Sequence, residues 1–183
     1  MISGPSGAGK GTLIDAVLPR IPDVQLAISA TTRAPRVGER DGEDYYFLSR
    51  KAFLARVAAD EFLEHVEYAA NLYGTLRAEV ERILAEDCSA IVEIELRGAR
   101  AIHRMLPAAV SVFIAPPSPE ILAERLRARG SESEQAIARR LSESVTELAA
   151  QSEFDHVVVN DERDSAAEEL EAVIETVLHG ESG

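Results

Sequence analysis

Short apolar runs alternate along the chain with longer segments that carry polar residues at helical spacing. Four of the runs predict β-strands: Gln25 to Ser29, Ala90 to Glu95, Ala109 to Ala115 and His156 to Val159. The last three runs are almost continuously apolar, which is typical of strands buried on both faces of a parallel sheet. We therefore expect a buried parallel sheet at the centre of the fold.

Five segments around these runs show the hydrophobic spacing of amphipathic helices. They are Leu13 to Leu18, Arg97 to Leu106, Pro119 to Arg129, Glu134 to Gln151 and Asp164 to Leu178. Several of them open with Ser, Asp or Pro, which favour helix starts. Strands and helices in alternation predict a doubly wound α/β domain.

The pattern changes between Arg33 and Arg77. Glycines and aromatic residues come close together there, at Gly38, Gly42, Tyr45, Tyr46, Phe47 and Tyr73, with a further strand-like segment from Glu61 to Tyr68. Short antiparallel strands around one helix fit this stretch. We interpret it as an insertion into the α/β domain that binds a substrate.

Composition narrows the classes of function. The chain has 183 residues, enough for one domain, with 46% hydrophobic and 28% charged residues, as in ordinary globular proteins. The formal net charge of −13 argues against binding to nucleic acid or to an anionic membrane surface. No apolar stretch is long enough for a membrane span and no signal-peptide pattern is present, so we expect a cytoplasmic protein. The single cysteine, Cys88, indicates neither a disulfide nor a zinc site.

The basic residues are clustered although the chain is acidic overall. The clusters are Arg33, Arg36 and Arg40; Arg125, Arg127 and Arg129; and Arg139 with Arg140. Because a guanidinium presents a planar fork of donors that fits phosphate oxygens, such clusters favour a small phosphorylated ligand. The alternative for any one of these arginines is an ion pair with a surface carboxylate.

The strongest motif lies at the amino terminus and has the form of a Walker A loop between a strand and a helix. Its residues are Gly4, Pro5, Ser6, Gly7, Ala8, Gly9, Lys10, Gly11 and Thr12. Glycines let backbone NH groups close around phosphate oxygens, and Lys10 would reach the β and γ phosphates of a nucleotide. The alternative is a glycine-rich turn that binds nothing.

The loop departs from the common pattern after Lys10. Gly11 stands where many such loops have a hydroxyl residue that holds Mg²⁺, and the hydroxyl follows one position later, at Thr12. We expect Mg²⁺ to be held mostly by the nucleotide phosphates and water, with Thr12 and Glu93 as outer contacts.

Later motifs resemble those of guanylate kinases over nearly the whole chain. They are Ser29 to Arg36 followed by Gly38-Glu39, Gly42, Asp44-Tyr45 and Phe47; then Glu64, Tyr73 to Thr75, Glu93 to Glu95 with Gly98-Ala99, Ile114 to Ser118, Arg125 with Arg129-Gly130, Arg139 to Leu141 and Val157 to Asp161. The resemblance implies transfer of the terminal phosphoryl group of ATP to GMP, and also to dGMP, with Mg²⁺ as cofactor.

The resemblance also implies the architecture. It is a three-layer P-loop NTPase fold, α/β with a parallel core sheet, a small mixed α/β GMP-binding insertion and a mobile helical lid. We assign residues 1–32, 77–128 and 152–183 to the core, 33–76 to the insertion and 129–151 to the lid. The sequence leaves monomer and homodimer open.

The acceptor site can be interpreted from chemistry and from the resemblance together. A monophosphate dianion needs convergent donors, which Arg33, Arg36, Tyr45 and Tyr73 would supply. Guanine presents two donors and one acceptor, so a carboxylate and a hydroxyl would distinguish it from adenine. By resemblance the carboxylate is Glu64 and the hydroxyls are Ser29 and Thr75. A solvated Glu64 and core tyrosines are the alternatives.

Position 95 departs from the family pattern, since guanylate kinases usually have Asp where this chain has Glu95. We keep Glu95 as a GMP-binding residue that is one methylene longer.

The donor site follows from the same reasoning about charge. Phosphoryl transfer requires alignment and compensation of negative charge, which Lys10, Arg129 and Arg140 would supply as catalytic residues. Arg125 and Arg129 would bind ATP, with Arg139 in support, and Asn160 would lie near the adenine by resemblance. A kinase for AMP and a scaffold domain without catalysis are the two rival hypotheses.

Overall fold

The computed structural model describes residues 1–68, 70–128 and 134–180. The chain forms two compact units, of which the first combines Met1–Ile21 with Val110–Gly183 and the second spans Pro22–Ala109. The described elements in chain order are β1 (Ile2–Ser3), α1 (Lys10–Val17), β2 (Val24–Leu26), β3 (Ser29–Thr31), β4 (Tyr46–Phe47), α2 (Arg50–Ala58), β5 (Phe62–Tyr68), β6 (Asn71–Leu76), α3 (Arg77–Ala85), β7 (Ser89–Ile91), α4 (Leu96–Met105), β8 (Val112–Ala115), α5 (Pro119–Ala128), α6 (Glu134–Ala149), β9 (His156–Val159) and α7 (Arg163–Leu178). Short 3-10 turns follow α1 at Leu18–Arg20 and α6 at Gln151–Glu153.

The first unit is built on a parallel sheet in the order β1-β8-β9. Parallel neighbours need crossover connections, and helices supply them here. Helix α7 packs against α1 and β9, while α5 packs against α6. The α5–α6 contact is apolar and is formed by Leu122, Leu126, Ile137 and Leu141.

The second unit contains two sheets. Strands β2 and β7 pair in parallel, and a mixed sheet has the order β4-β3-β6-β5. In the mixed sheet β6 pairs antiparallel with both β3 and β5, while β4 lies parallel to β3. The sequence prediction of short antiparallel strands around one helix is thus confirmed, with α2 as that helix and β4 as a parallel addition.

The predicted strand from Gln25 to Ser29 is two strands. Residues Val24–Leu26 pair with β7, and the chain then leaves that sheet and begins β3 at Ser29. The backbone NH of Ala27 still bonds the Ile91 carbonyl at 2.8 Å, but the NH of Ile28 turns to a carboxylate oxygen of Glu79 at 3.3 Å. A buried side chain from α3 therefore ends the first pairing, which the local pattern did not indicate.

Burial on both faces was predicted for three strands. It is observed along the whole length of β8 but not of β7 or β9. All four residues of β8 are buried. In β9, Val157 and Val159 are 37% and 49% exposed, while Val158 is fully buried. Val157 and Val159 lie on the same face of β9, so this face is partly open to solvent, while Val158 on the opposite face is buried.

The predicted helices are all present, with ends that differ from the prediction by at most three residues. Helix α3 was not predicted, because it has only nine residues and four of them are charged. Ile83 is its one fully buried apolar residue. No helix within the described ranges is long and apolar enough to cross a membrane.

The core of the second unit supplies a prediction about stability. Phe53 on α2 is completely buried and stacks on Phe62 with 4.3 Å between the ring centroids. We expect Phe53→Ala to lower the free energy of unfolding by about 3 to 5 kcal/mol, because the lost ring leaves a cavity. Urea unfolding followed by circular dichroism measures this change.

The adjacent Leu54 is 48% exposed on the same helix and provides the control. Leu54→Ala should change the free energy of unfolding by no more than about 0.5 kcal/mol. Equal effects of the two substitutions would contradict the described packing.

Candidate active site

The phosphate loop, residues 4–9, connects β1 to α1 in the first unit. Gly4, Gly7 and Gly9 have φ angles of +142°, +95° and +91°, which side chains rarely tolerate. A Cβ atom at Gly4 would overlap the carbonyl oxygen of Ile114 in β8. Glycine at these positions therefore allows the loop to turn tightly against the sheet and to present backbone groups at the start of α1.

Lys10 is the first residue of α1 and is buried. Its Nζ donates to the carbonyl oxygens of Gly4 at 2.7 Å and Pro5 at 3.4 Å, so the side chain folds back over the loop. An ammonium group held across a phosphate-sized loop at a helix amino terminus is suited to contact phosphate oxygens.

One further guanidinium adds positive charge at the loop. Arg140 on α6 donates from Nη1 to the Ser6 hydroxyl at 3.1 Å and so lies at the loop. Arg139, its neighbour, is exposed, and Arg129 lies outside the described residues. Of the predicted transition-state arginines, the structure thus brings Arg140 to the loop.

Asn160 and Arg125 form a second set of contacts next to the loop. The Asn160 Nδ2 donates to the carbonyl oxygen of Ala8 at 2.7 Å, and Arg125 donates from Nη2 to the Asn160 carbonyl oxygen at 2.9 Å. Arg125 Nη1 is buried and has no hydrogen-bond partner among the described residues.

Thr12 is exposed in the first turn of α1, two residues after Lys10. Within the ranges that the structure describes, no group of three or more His, Cys, Asp or Glu side chains could hold a metal ion. A Mg²⁺ ion that keeps several waters and binds mainly through nucleotide phosphates fits this donor set.

The phosphate cluster of the second unit comprises Arg33, Arg36, Tyr45 and Tyr73. The rings of Tyr45 and Tyr73 lie edge to face at 6.4 Å, and the Arg33 guanidinium lies 5.3 Å from the Tyr45 ring centroid. Burial raises the pKa of Tyr45 to about 12, so its hydroxyl stays protonated and can donate at neutral pH.

Glu39 organises this cluster, and the sequence analysis had not assigned it a role. Both Glu39 carboxylate oxygens accept from Arg33 at 2.9 Å, and one of them also accepts from the backbone NH of Arg36 at 2.6 Å. The hydrogen bonds from Arg33 lower the pKa of Glu39 below its usual range. Since a guanidinium has five N–H groups, the fork to Glu39 orients Arg33 and leaves donors for another anion.

The base cluster of the same unit comprises Ser29, Glu64, Thr75 and Glu95. Ser29 and Glu64 both pair with Thr75 across neighbouring strands, so the three side chains share one face of the sheet. Glu64 is buried, and its Oε1 accepts from the Thr75 backbone NH at 3.1 Å and from the Thr75 hydroxyl at 3.0 Å.

Gly98 and Glu95 complete the surroundings of Glu64. A Cβ atom at Gly98 would lie 2.6 Å from Glu64 Oε2, so the glycine makes room for the carboxylate. The Glu95 Oε2 is buried without a hydrogen-bond partner in the described part of the chain. Burial, together with the Glu95 charge, raises the pKa of Glu64 to about 7, against the lowering effect of the Thr75 hydrogen bonds.

Most of the predicted acceptor residues therefore lie in two clusters within the second unit. The first unit brings together the phosphate loop, Lys10, Arg125, Arg140 and Asn160. Arg36 is the most peripheral, with its side chain 62% exposed. Glu39 and Gly98 are the additions from the structure. Their sequence signals were the Gly38-Glu39 pair and the Gly98-Ala99 pair, both of which carry the family resemblance without indicating a role.

A glycine-built phosphate loop between a parallel strand and a helix, closed by a lysine, defines the class of P-loop nucleotide-binding proteins. Comparisons with known proteins specify the class further. The family model described as guanylate kinase matches residues 1–177. The chain belongs to the guanylate kinase family, and it is accordingly a nucleoside monophosphate kinase with the P-loop NTPase fold expected from the sequence.

Individual relatives agree with this family. A guanylate kinase of a Synechococcus species is 51% identical over 174 residues, covering 95% of each chain. A guanylate kinase of Rubrobacter xylanophilus is 48% identical over 180 residues, covering 98% of this chain and 94% of the relative. The crystal structure of guanylate kinase from Anaplasma phagocytophilum superposes with a TM-score of 0.79 at 29% identity, covering 96% of this chain and 84% of that one. The resemblance inferred from the motifs is confirmed.

The raised pKa of Glu64 leads to a prediction about pH and stability. Because the folded-state pKa of about 7 exceeds the ordinary 4.5, the favourable contribution of Glu64 is complete below pH 4.5 and is lost as the pH rises through 7. The free energy of unfolding of the wild type, relative to Glu64→Gln, should fall by roughly 2 to 3 kcal/mol across this interval.

Urea unfolding of both proteins at several pH values between 4.5 and 8 tests this expectation. Glu67→Gln serves as the control, since Glu67 is an exposed carboxylate on the same strand. Its curve should run parallel to that of the wild type. A parallel curve for Glu64→Gln as well would rule out the buried, proton-binding carboxyl described above.

Proposed function

We propose that this protein catalyses transfer of the γ-phosphoryl group of ATP to GMP, giving ADP and GDP, and that dGMP is a second acceptor. The observation that carries the acceptor assignment is Glu64, a buried carboxylate fixed by Thr75. Guanine presents two adjacent N–H donors to such a group, whereas adenine would leave the carboxylate unpaired. The names of the relatives, all guanylate kinases, support the same acceptor.

In this proposal the second unit binds GMP through its two clusters. Arg33, Arg36, Tyr45 and Tyr73 bind the monophosphate, with Arg33 held in position by Glu39. Ser29, Glu64, Thr75 and Glu95 bind the base. Residues 33–76 are the GMP-binding insertion, although the sheet that carries it also includes β3.

The first unit binds ATP. The loop NH groups and Lys10 contact the phosphates, Arg140 compensates charge that develops on the transferred group, and Arg125 contacts the nucleotide through its free Nη1. Arg129 belongs to this set by the family resemblance. Residues 129–151 act as a lid that excludes water, which would otherwise compete with GMP as acceptor.

Mg²⁺ is the cofactor in this proposal, and when bound it neutralises charge on the β and γ phosphates. Thr12, in the first turn of α1, is the protein side chain that we propose as a contact to the ion or its waters. The reaction needs no protein nucleophile, since the attacking oxygen belongs to GMP. We propose the cytoplasm as the site of action, where nucleotide substrates are made and used.

The proposed reaction is tested by an ADP-release assay coupled to NADH oxidation, with Mg²⁺, ATP and each of GMP, AMP, CMP and UMP in separate reactions. We expect turnover with GMP and at least about 10³-fold lower kcat/KM with AMP, because AMP would leave buried polar groups unpaired. Faster turnover with AMP would refute the acceptor assignment, and no turnover with any acceptor would favour a scaffold domain.

Lys10 provides a separate test of the phosphate loop. Lys10→Ala should lower kcat by about 10²-fold or more, since the charge that follows the transferred phosphoryl group is lost. The far-UV circular dichroism spectrum should stay unchanged. Lys51, the other lysine of the chain, is exposed on α2, so Lys51→Ala is the matched control and should keep the wild-type rate. A wild-type rate for Lys10→Ala would contradict the assignment of the loop.

A further inference from the structure

The side chain of Asn160 is held inside the first unit and not at its surface. Asn160 is 5% exposed, and its Nδ2 donates to the Ala8 carbonyl oxygen at 2.7 Å across 152 positions of sequence. Its own backbone NH donates to the Ala115 carbonyl oxygen at 2.8 Å, at the end of β8. The residue therefore connects the carboxyl end of the sheet to the phosphate loop.

This hydrogen bond fixes the orientation of one peptide group of the loop. The chain has no cis peptide bond among its described residues, and in a trans peptide the C=O and the following N–H point in opposite directions. When Asn160 holds the Ala8 carbonyl on one side, the Gly9 NH is directed to the other. Gly9 NH is one of the donors with which a loop of this kind surrounds phosphate.

The shape of the loop at Gly9 fits the Asn160 amide. Gly9 adopts a φ of +91°, and a Cβ atom there would overlap Asn160 Nδ2. The absence of a side chain at position 9 thus allows both the left-handed backbone and the close approach of the amide. Any residue larger than glycine would displace one or the other.

Arg125 holds the backbone of Asn160 by a separate contact. Its Nη2 donates to the carbonyl oxygens of Asn160 at 2.9 Å and Asp161 at 3.5 Å. The guanidinium on α5 thereby fixes the backbone that carries the Asn160 side chain. Three elements, β9, α5 and the loop, meet through these contacts.

We infer that Asn160 is a positioning residue of the phosphate loop, which orients the Gly9 NH toward the nucleotide phosphates by holding the Ala8 carbonyl. The inference deepens the proposed function and rests on it only for ATP as the nucleotide. It differs from the adenine contact that the family resemblance implies, since Asn160 is buried and its amide donates to the loop.

The test uses Asn160→Asp, which keeps the size of the side chain but replaces the donor with an oxygen that repels the Ala8 carbonyl. Titration calorimetry of the full chain measures the Kd of ATP and of inorganic tripolyphosphate, which has no base. We expect both Kd values to rise about 10-fold, the usual effect of one lost buried hydrogen bond, while the Kd of GMP changes less than twofold. Amide hydrogen exchange in the segment 6–11 should accelerate to a similar extent.

Gln151→Glu is the matched control, because it makes the same amide-to-carboxylate change at an exposed position of the same unit. It should leave both Kd values unchanged. Asn160→Ala, which removes the donor without adding charge, is the second variant if Asn160→Asp does not fold, and it should weaken ATP and tripolyphosphate alike.

Weakened ATP binding with unchanged tripolyphosphate binding would mean that Asn160 contacts the adenine, and it would overturn the inference. Unchanged loop exchange, or wild-type affinity for both ligands, would overturn it as well. The proposed function is judged separately, by the acceptor assay on the wild type. A wild type that binds ATP but does not phosphorylate GMP would refute the proposed function and leave the role of Asn160 to these titrations.

Discussion

The closeness of the phosphate loop to the sheet is the constraint on which the first unit depends. The chain can curl between β1 and α1 because Gly4, Gly7 and Gly9 carry no side chains where Ile114, Leu122 and Asn160 lie. The space left by the missing side chains is filled by a backbone carbonyl, a leucine methyl group and an amide, respectively. Lys10 then folds back over the loop, which places its charge where a bound phosphate would need it.

The second unit buries negative charge, whereas the first unit buries the positive charge of Lys10. Its acceptor clusters contain buried or partly buried carboxylates, Glu39, Glu64 and Glu95, of which only Glu39 faces a guanidinium among the contacts described. Glu64 is instead surrounded by neutral donors and by a second carboxyl group, so it binds its proton more tightly than usual. A ligand that brings its own N–H donors would relieve this unfavourable burial, and that relief can contribute to selectivity for guanine.

The parts that could be predicted from the sequence are those with local signals. Glycine spacing ahead of a helix indicated the phosphate loop, and continuous apolar runs indicated the buried strand β8. Contacts between distant residues could not be predicted in this way. The 32 acidic residues offer many partners for Arg33, so nothing local selects Glu39, and no pattern connects Asn160 to Ala8 across 152 positions. The exposed face of β9 was missed because apolar composition does not reveal whether another element covers that face of a strand.

Because the first unit is discontinuous in sequence, its two segments are synthesised at different times. The loop residues leave the ribosome early, but Ala8 and its partner Asn160 are 152 residues apart, and the whole second unit, Pro22–Ala109, is made between them. At about 5 to 20 residues per second, that delay is roughly 8 to 30 seconds. The glycine-rich loop must therefore remain without its supporting strand and amide while the second unit, which is continuous in sequence, completes its own core.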